Sequence, residues 1–157
     1  MPVSHARFGT DLRLLRELDR QKSSRDPGHD LSVARRPETG QLDLETLAGA
    51  DNLAQALLLR FLTPAGALAP LGHPDYGSRL AELIGELNNE TNRNRAKLYV
   101  LQALALEPRV RQVLSVSVTQ DRRRPTVMDI AVSLLAVDSD TPLNLVFPFF
   151  LEGGVTP

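Results

Sequence analysis

The sequence contains no cysteine and no tryptophan, and it has only two tyrosines. Without cysteine, the chain can form neither a disulfide framework nor a thiolate metal site, and it has no cysteine nucleophile. The lack of disulfides suits a protein that folds in a reducing compartment. We therefore expect the chain to fold in the cytoplasm.

An excess of charge of one sign is also missing. The 157 residues carry 18 basic and 19 acidic side chains, a formal net charge of −1. A dedicated nucleic-acid-binding domain is usually strongly basic, so we expect no nucleic-acid partner. No apolar run approaches the roughly 20 residues that span a bilayer, and the N-terminal residues lack the apolar stretch of a signal peptide. We therefore expect no direct insertion into a membrane.

Motifs that carry catalysis or bind cofactors are missing as well. There is no G-x-S-x-G elbow, no P-loop and no G-x-G-x-x-G sequence. His5, His29 and His73 are far apart and none has a metal-binding spacing. We predict no catalytic residue, no cofactor and no metal, and expect that the protein is not an enzyme. One alternative stays open, in which Asp75 and Glu107 are the two carboxylates of a small peptidoglycan-type hydrolase.

A chain of this length suits one folded domain, which we place at residues 51–157. Residues 1–50 mix charged residues with turn formers, such as the Asp-Pro-Gly at 26–28, and they indicate an N-terminal arm or extension. Leucines at a spacing of three predict a short amphipathic helix in this arm: Leu12, Leu15 and Leu18.

Three helices are predicted after the arm from apolar residues at helical spacing. The first begins at an Asp51 cap, ends at Thr63-Pro64, and has an apolar face of Leu53, Leu57, Leu58 and Phe61. The second begins at a Ser78 cap and carries Leu80, Leu83, Ile84 and Leu87. The third begins at a Thr91 cap, ends before Pro108, and carries Leu98, Tyr99, Leu101 and Ala105.

After Arg109 the apolar period changes from about 3.6 to 2, which predicts strands. Three alternating segments are separated by polar turns at 121–125 and 138–140. Their apolar positions are Leu114, Val116 and Val118, then Met128, Ile130, Val132 and Leu134, then Leu143, Leu145, Phe147, Phe149 and Leu151. The predicted fold class is α+β: an N-terminal arm, about three helices, and an antiparallel three-stranded β-meander that can pair with neighbouring subunits.

Two features favour protein contacts over a purely structural role. The loop at 63–77 is about fifteen residues long and interleaves three prolines with three glycines. Loops of this length are usually functional or disordered, and stiff loops lose little entropy on docking. The second feature is the Glu107-Pro108-Arg109 sequence, in which an acid and a base flank a proline at the helix-to-strand junction.

Several motifs follow one another along the chain. A leucine-rich helix runs into Leu62-Thr63-Pro64-x-Gly66, followed by Pro74-Asp75-Tyr76-Gly77, by a helix ending in Glu107-Pro108-Arg109, and by the meander. This order resembles the baseplate wedge, or sheath-initiator, proteins of contractile injection systems. That family includes the sheath-initiating wedge subunit of T-even phages and the TssE subunit of type VI secretion. The Phe-Gly-Thr-Asp-Leu opening at 8–12 resembles the extracellular, phage-tail-like branch.

The resemblance implies a structural role in a baseplate. Six copies would ring the central tube, joining the wedge proteins to the first sheath layer and contacting tube or hub proteins. Assembly would occur in the cytoplasm, within a particle that is released or membrane-anchored. The implied wedge interface is Glu107, Pro108 and Arg109, and the implied loop contacts are Thr63, Pro64, Gly66, Pro74, Asp75, Tyr76 and Gly77. The sequence departs from relatives at 67–73, where they carry a Glu-Arg pair, and at the longer segment 19–41.

The last predicted strand offers a mechanism for the link to the sheath protein. Edge strands carry unpaired backbone N–H and C=O groups, which a neighbouring chain can complete. We predict that residues 126–151 template sheath assembly by strand exchange, with Pro148 restricting pairing to one side. The predicted sheath-pairing residues are Leu143, Leu145, Phe147, Phe149 and Leu151. A free-standing interaction module without ring symmetry is the remaining alternative.

Overall fold

The computed structural model describes residues 8–15 and 31–152, which form seven β-strands and two α-helices. The strands are β1 (Thr10–Leu12), β2 (Val33–Arg35), β3 (Leu42–Leu44), β4 (Thr46–Ala48), β5 (Val110–Gln120), β6 (Val127–Ala136) and β7 (Leu143–Phe150). The helices are α1 (Gly49–Leu62) and α2 (Glu90–Ala105). The strands make three antiparallel sheets, β1-β4, β2-β3 and β5-β6-β7.

This architecture overturns the predicted fold class of an arm, three helices and a meander. The described residues contain two α-helices, and their seven strands are divided among three small sheets. Leu12 belongs to β1 rather than to a helix, because its strand pairs with β4 directly before α1. Leu18 and the predicted turn at 26–28 lie outside the described residues. The division into an arm and a domain at residue 51 stays a prediction.

The predicted second helix is replaced by a short 3₁₀ turn, Leu80–Leu83. Gly85 has a φ of 90°, a conformation that breaks an α-helix, and its N–H donates to the Leu151 carbonyl at 2.7 Å. Leu80 and Leu83 are buried, whereas Ile84 and Leu87 are exposed. The apolar spacing therefore predicted burial correctly for Leu80 and Leu83 but not for the two residues after them.

Helix α1 begins two residues before the predicted Asp51 cap and buries the whole predicted apolar face. Helix α2 begins at Glu90, and its cap is Asn89, whose side chain accepts the Asn92 N–H at 2.8 Å. The predicted Thr91 cap is therefore wrong. The buried face of α2 is also different from the predicted one, since Leu98 is 51% exposed. Its buried apolar residues are Ala96, Tyr99, Val100, Ala103 and Leu104.

The largest sheet places one face on the helices. Val116 on β5 and the alternating apolar residues of β6 are buried, as their alternation predicts. Leu114 is 45% exposed because the register shifts between Val113 and Ser115, which reverses the alternation on that side of the irregularity. The Leu114 position in the predicted apolar face is therefore wrong.

The core fixes the end of α1 against β7. Phe61 and Phe147 stack with ring centroids 5.2 Å apart and planes inclined by 11°, and both side chains are fully buried. A stacked aromatic pair adds about 1 kcal/mol to the burial of its area. This packing fixes the last turn of α1 and the start of the loop that follows it.

Candidate functional site

The Glu107 side chain lies in the junction between α2 and β5, and its residue is only 5% exposed. The helix ends there because a residue before proline is pushed out of the α region. The Glu107 N–H donates to the Leu104 carbonyl at 3.1 Å, and the Glu107 carbonyl accepts the Val110 N–H at 3.0 Å. These two bonds turn the chain from helix to strand and direct the carboxylate inward.

Two guanidinium groups surround this carboxylate. Arg109 Nε donates to Glu107 Oε1 at 2.7 Å, and Arg109 Nη2 donates to Oε2 at 3.2 Å. Arg60 Nη2 approaches Oε2 at 3.4 Å from the last turn of α1. The two-pronged Arg109 contact has the geometry of a strong, charge-assisted pair.

Tyr76 closes the site from the loop. The Arg60 guanidinium carbon lies 4.7 Å from the centroid of the Tyr76 ring, a cation–π distance. Arg60 thus connects three predicted segments: the end of α1, the loop and the junction. Arg60 was not among the predicted site residues. The sequence nevertheless carries a signal, since Arg60 follows Leu57 by three residues and Leu53 by seven, on the buried face of α1.

The loop that carries Tyr76 is closed at its neck by backbone hydrogen bonds. The Ser78 N–H donates to the Thr63 carbonyl at 2.8 Å, and the Ala65 N–H donates to the Ser78 carbonyl at 2.8 Å. The Gly66 N–H donates to the Tyr76 carbonyl at 3.2 Å, and the Ser78 hydroxyl donates to the Phe61 carbonyl at 2.6 Å. The loop is therefore a fixed part of the site.

Gly77 allows this closure. Its φ is +107°, and a Cβ at this position would lie 2.7 Å from both the Thr63 and the Pro64 carbonyl oxygens. No real side chain tolerates contacts this short with backbone, so the two sides of the neck can meet only at glycine. The Pro-Asp-Tyr-Gly motif thus has a steric reason for its last residue.

The electrostatics of the site favour the ionised carboxylate. Burial alone would raise the pKa of Glu107, but the hydrogen bonds and charge of Arg109, together with the charge of Arg60, hold it below its ordinary value. Burial raises the pKa of the Tyr76 phenol, and the charge of Arg60 offsets part of that effect. The described site therefore holds a neutral tyrosine beside a carboxylate and two guanidinium groups near neutral pH.

A cavity of about 360 Å³ opens next to this group. It is lined by Arg60, His73, Pro74, Asp75, Tyr76 and Leu106, with Gly72 at one side. Leu106 is 55% exposed, so the cavity has an apolar rim. Charged and apolar groups are therefore available side by side to an incoming side chain.

The structure brings the predicted interface and loop residues into one region. Glu107 and Arg109 contact one another, Pro108 is exposed between them, and Tyr76 reaches the same group through Arg60. The other predicted loop contacts form the loop itself: Thr63, Pro64, Gly66, Pro74, Asp75 and Gly77. Whether these residues meet a wedge protein stays a prediction.

The predicted sheath-pairing side chains lie elsewhere and are not available to a partner. Leu145, Phe147, Phe149 and Leu151 are at most 7% exposed, and Leu143 is partly buried against the same core. These side chains were predicted to lie near an open edge, but they fill the core on the inner face of the sheet. The predicted pairing side chains are therefore buried, and strand addition at β7 would use its outward backbone groups.

The backbone of β7 alternates between β6 and the outer edge. The Leu151 N–H donates to the Thr126 carbonyl at 3.0 Å, and each odd-numbered residue of β7 repeats this orientation towards β6. On the other side of β6, the Asp121 N–H donates to the Val127 carbonyl at 3.0 Å, so the backbone of Val127 points to β5. Its partner on β7, Phe150, therefore points outward. The residues whose backbone groups point outward are therefore Asn144, Val146, Pro148 and Phe150.

This outer edge is open within the described part of the chain. No hydrogen bond among residues 8–15 and 31–152 reaches the outward backbone groups of these four residues. Pro148 stands at an outward position, where its missing N–H costs the sheet no bond. The edge thus offers the backbone groups of Asn144 and Val146, which are exposed, and of Phe150, which is partly buried, whereas Pro148 is buried.

Metal-binding clusters and membrane-spanning helices are both absent from the described residues. Among the described residues, no group of three or more His, Asp or Glu side chains is arranged to hold a metal ion. No helix among them has the length and apolar character required to cross a bilayer.

Comparisons with known proteins bear on the fold. No protein-family model and no curated protein matches the sequence. Among solved structures, the fold is similar to a crystal structure described as a "putative tail lysozyme" from Geobacter sulfurreducens, with a TM-score of 0.57 and 24% sequence identity. The match covers 67% of this chain and 93% of that chain.

This similarity shows a shared fold, and it corrects one expectation. A protein with this fold carries the description of a lysozyme, so the prediction that the chain is not an enzyme is overturned. The description also links the fold of that neighbour to a tail. Membership of the wedge or TssE-like family is not shown by these comparisons.

Proposed function

We propose that this protein is a structural subunit of the baseplate of a phage-tail-like contractile injection particle, joining wedge proteins to the first sheath layer. The observation that carries the proposal is the open outer edge of β7, with its outward backbone groups at Asn144, Val146, Pro148 and Phe150. A strand from a neighbouring subunit completes such an edge by β-augmentation. The tail-related description of the fold neighbour supports the setting.

The junction supplies the second contact. Arg109 retains 28% exposure of its side chain, whereas Glu107 retains 5%, so Arg109 is the member of the pair that a wedge protein reaches. Glu107 acts by holding Arg109 and Arg60 in place. Replacement of Arg109 by alanine is expected to weaken incorporation into wedges while leaving the fold intact.

The strand-addition mechanism is tested with a substitution that removes one outward donor. Val146→Pro deletes an N–H that makes no bond to β6, and Pro148 already occupies the equivalent outward position two residues later. In cells that produce the particle, we expect baseplates containing this variant to lack sheath. Val146→Thr is the matched control, since it keeps the N–H and a β-branched side chain.

The outcomes separate the proposal from simple unfolding. Circular dichroism and thermal melting of the purified variants establish whether Val146→Pro is folded. A folded variant that still gives normal sheaths by electron microscopy contradicts the strand-addition mechanism. Deletion of residues 143–157 is a poorer test, because it removes the buried Phe147 and Leu145. Six copies per particle, and contacts to tube or hub proteins, are further expectations that the same images check.

Hydrolysis of peptidoglycan is the second candidate, and the description of the fold neighbour as a lysozyme favours it. A glycosidase of this kind pairs a protonated acid with an ionised carboxylate. The lowered pKa of Glu107 suits the ionised role, and the exposed Asp75 is the second carboxylate of the predicted pair. Release of soluble sugar from purified peptidoglycan, lost in both Asp75→Asn and Glu107→Gln, would establish this activity; no release at all would reject it.

A further inference from the structure

The hairpin of β2 and β3 presents an apolar face to solvent. In its register, Val33 lies opposite Leu44 and Arg35 lies opposite Leu42. Residues opposite one another in an antiparallel pair share a face, and the alternation along a strand adds Leu31 to it. Its four aliphatic side chains are between 41% and 64% exposed: Leu31, Val33, Leu42 and Leu44. Single apolar residues at a surface are ordinary, whereas a contiguous group indicates a site of interaction.

The rest of the described chain leaves this hairpin face uncovered. Outside their own pairing, β2 and β3 make no substantial packing contact with another described element. None of the four aliphatic residues belongs to the core or packs against it within the described ranges. A two-stranded ribbon on its own is only marginally stable in water, and it requires a third strand or a packed helix. The hairpin face therefore needs a cover.

The other residues of the sequence do not have the composition of such a cover. The ranges 1–7, 16–30 and 153–157 hold four large aliphatic side chains: Met1, Val3, Leu18 and Val155. No two of these are three or four positions apart, which is the spacing that neighbours on one helix face require. These ranges therefore offer no apolar helix face that could pack on the hairpin.

Helix α2 carries a second surface without a partner in the described chain. The residues of its outer face follow one another at spacings of three and four, and none is charged: Thr91, Asn94, Leu98, Leu101, Gln102 and Ala105. Leu98 is 51% exposed, and Leu101 is only partly buried. A surface helix normally turns charged residues to the solvent. An uncharged outer face is therefore typical of a helix that is covered on that side too.

The hairpin face and the outer face of α2 match in shape and in polar groups. Two strands about 4.8 Å apart give a face about 10 Å wide, which is close to the diameter of a helix. Arg35 has one described acceptor, the Gly40 carbonyl at 2.8 Å. The side-chain carbonyls of Asn94 and Gln102 can accept from its other donors. Two hairpin faces packed together would instead bring two guanidinium groups and no acceptor side chain.

We infer that the hairpin face of one copy packs on the outer face of α2 in a second copy. Within one molecule the two surfaces do not pack on each other, so the contact is head-to-tail. A head-to-tail contact closes into a ring or continues as a filament, depending on the rotation between copies. This inference goes beyond the proposed function and does not depend on it.

The association is expected to be weak. Four aliphatic side chains are far fewer than the roughly 20–30 residues that each side of a stable interface contributes. We expect a Kd of about 0.1 mM for the purified full chain, measured by sedimentation equilibrium up to about 1 mM protein. The contact is therefore populated at high concentration, or where an assembly already holds the copies side by side.

Two variants remove one surface each. Val33→Asp and Leu98→Asp place a charge in the hairpin face and in the outer face of α2, and each is expected to weaken association at least about tenfold. Leu71→Asp is the matched control, because Leu71 is 73% exposed and lies outside both faces. It is expected to associate as the unmodified chain does. Circular dichroism checks that each variant is folded, and Leu42→Ser replaces Val33→Asp if that variant is unfolded.

Mixing the two variants separates this contact from other kinds of self-association. The Leu98→Asp chain keeps an intact hairpin, and the Val33→Asp chain keeps an intact α2, so one complete contact can form between them. An equimolar mixture is expected to form dimers and nothing larger, while each variant alone remains monomeric over the same range. A contact between two like faces would not be restored by mixing.

Every other result overturns the inference. An unmodified chain that remains monomeric has no such contact, and a mixture that fails to dimerise has a different one. Loss of association in Val33→Asp alone would assign the hairpin face to a second hairpin. Equal loss in Leu71→Asp would indicate unspecific clustering of apolar residues. None of these results bears on the proposed function, which depends on whether baseplates with Val146→Pro carry sheath.

Discussion

Arg60 Nη2 and Glu107 Oε2 lie 3.4 Å apart although 47 positions separate the residues in the chain. The contact joins the end of α1 to the start of β5, and it is buried on both sides. Removal of one partner leaves the other charge buried and unpaired. A single substitution therefore costs more stability than the intact pair contributes.

Glu107→Gln keeps the shape of the side chain and removes its charge. We expect a loss of about 3 kcal/mol in the free energy of unfolding, because two guanidinium groups then lack their counter-ion. Urea denaturation measures the loss. Glu82→Gln is the control, since Glu82 pairs with Arg79 on the surface and its loss is expected to be much smaller. Equal losses in the two variants would contradict the structural role of Glu107.

Acid is expected to weaken the protein through the same carboxylate. The pKa of Glu107 in the folded state is below its ordinary value of 4.5, so its contribution is fully present above that value and is lost as the pH falls through the folded pKa. Thermal melting across this acidic range measures the slope. The Glu107→Gln variant should lack that part of the slope, and an identical slope in both proteins would disprove the assignment.

Gly77→Ala is expected to open the neck of the loop. The new Cβ would lie 2.7 Å from two carbonyl oxygens, so we expect a loss of about 3 kcal/mol or more. Gly72→Ala is the matched control: its φ is +86°, but nothing lies within 4 Å, so only about 1 kcal/mol is expected. Chemical denaturation compares the two. Similar losses would mean that backbone conformation, and not the close contact, determines the effect.

Gln55→Leu is expected to release the N-terminal strand from α1. The side-chain oxygen Oε1 of Gln55 accepts the N–H groups of Leu14 at 2.8 Å and Leu15 at 3.0 Å. Its side-chain nitrogen Nε2 donates to the Leu12 carbonyl at 2.8 Å. We expect faster hydrogen exchange at Leu14 and Leu15 and a loss of about 2 kcal/mol. The same replacement at the exposed Gln102 should change neither quantity. Unchanged exchange in the Gln55 variant would show that other contacts hold the strand.

Periodic patterns predicted the elements that pack against one another over their full length. The apolar face of α1 and the alternation of β6 follow directly from burial on one side, so the sequence alone was sufficient for them. Gly85 and the shifted register near Val113 are different, because each depends on a partner elsewhere in the chain. A pattern of leucines or valines cannot report such a partner. The predicted second helix and the predicted burial of Leu114 were wrong for that reason.

The site was predictable in its motifs but not in its centre. Glu107, Arg109 and Tyr76 were selected from the order of their motifs, and the structure places them together. Arg60 was not predicted to belong to the site, because the role of a single charged residue in an apolar helix cannot be inferred until its counter-ion is known. The 47-residue separation between the two partners means that only the fold reveals the pair.

The side chains of β7 alternate between the two faces of the sheet. The odd-numbered side chains fill the core, whereas the even-numbered Asn144 and Val146 are exposed. Under the proposed strand addition, changes at Asn144 or Val146 would alter the neighbouring strand that fits while leaving the core unchanged.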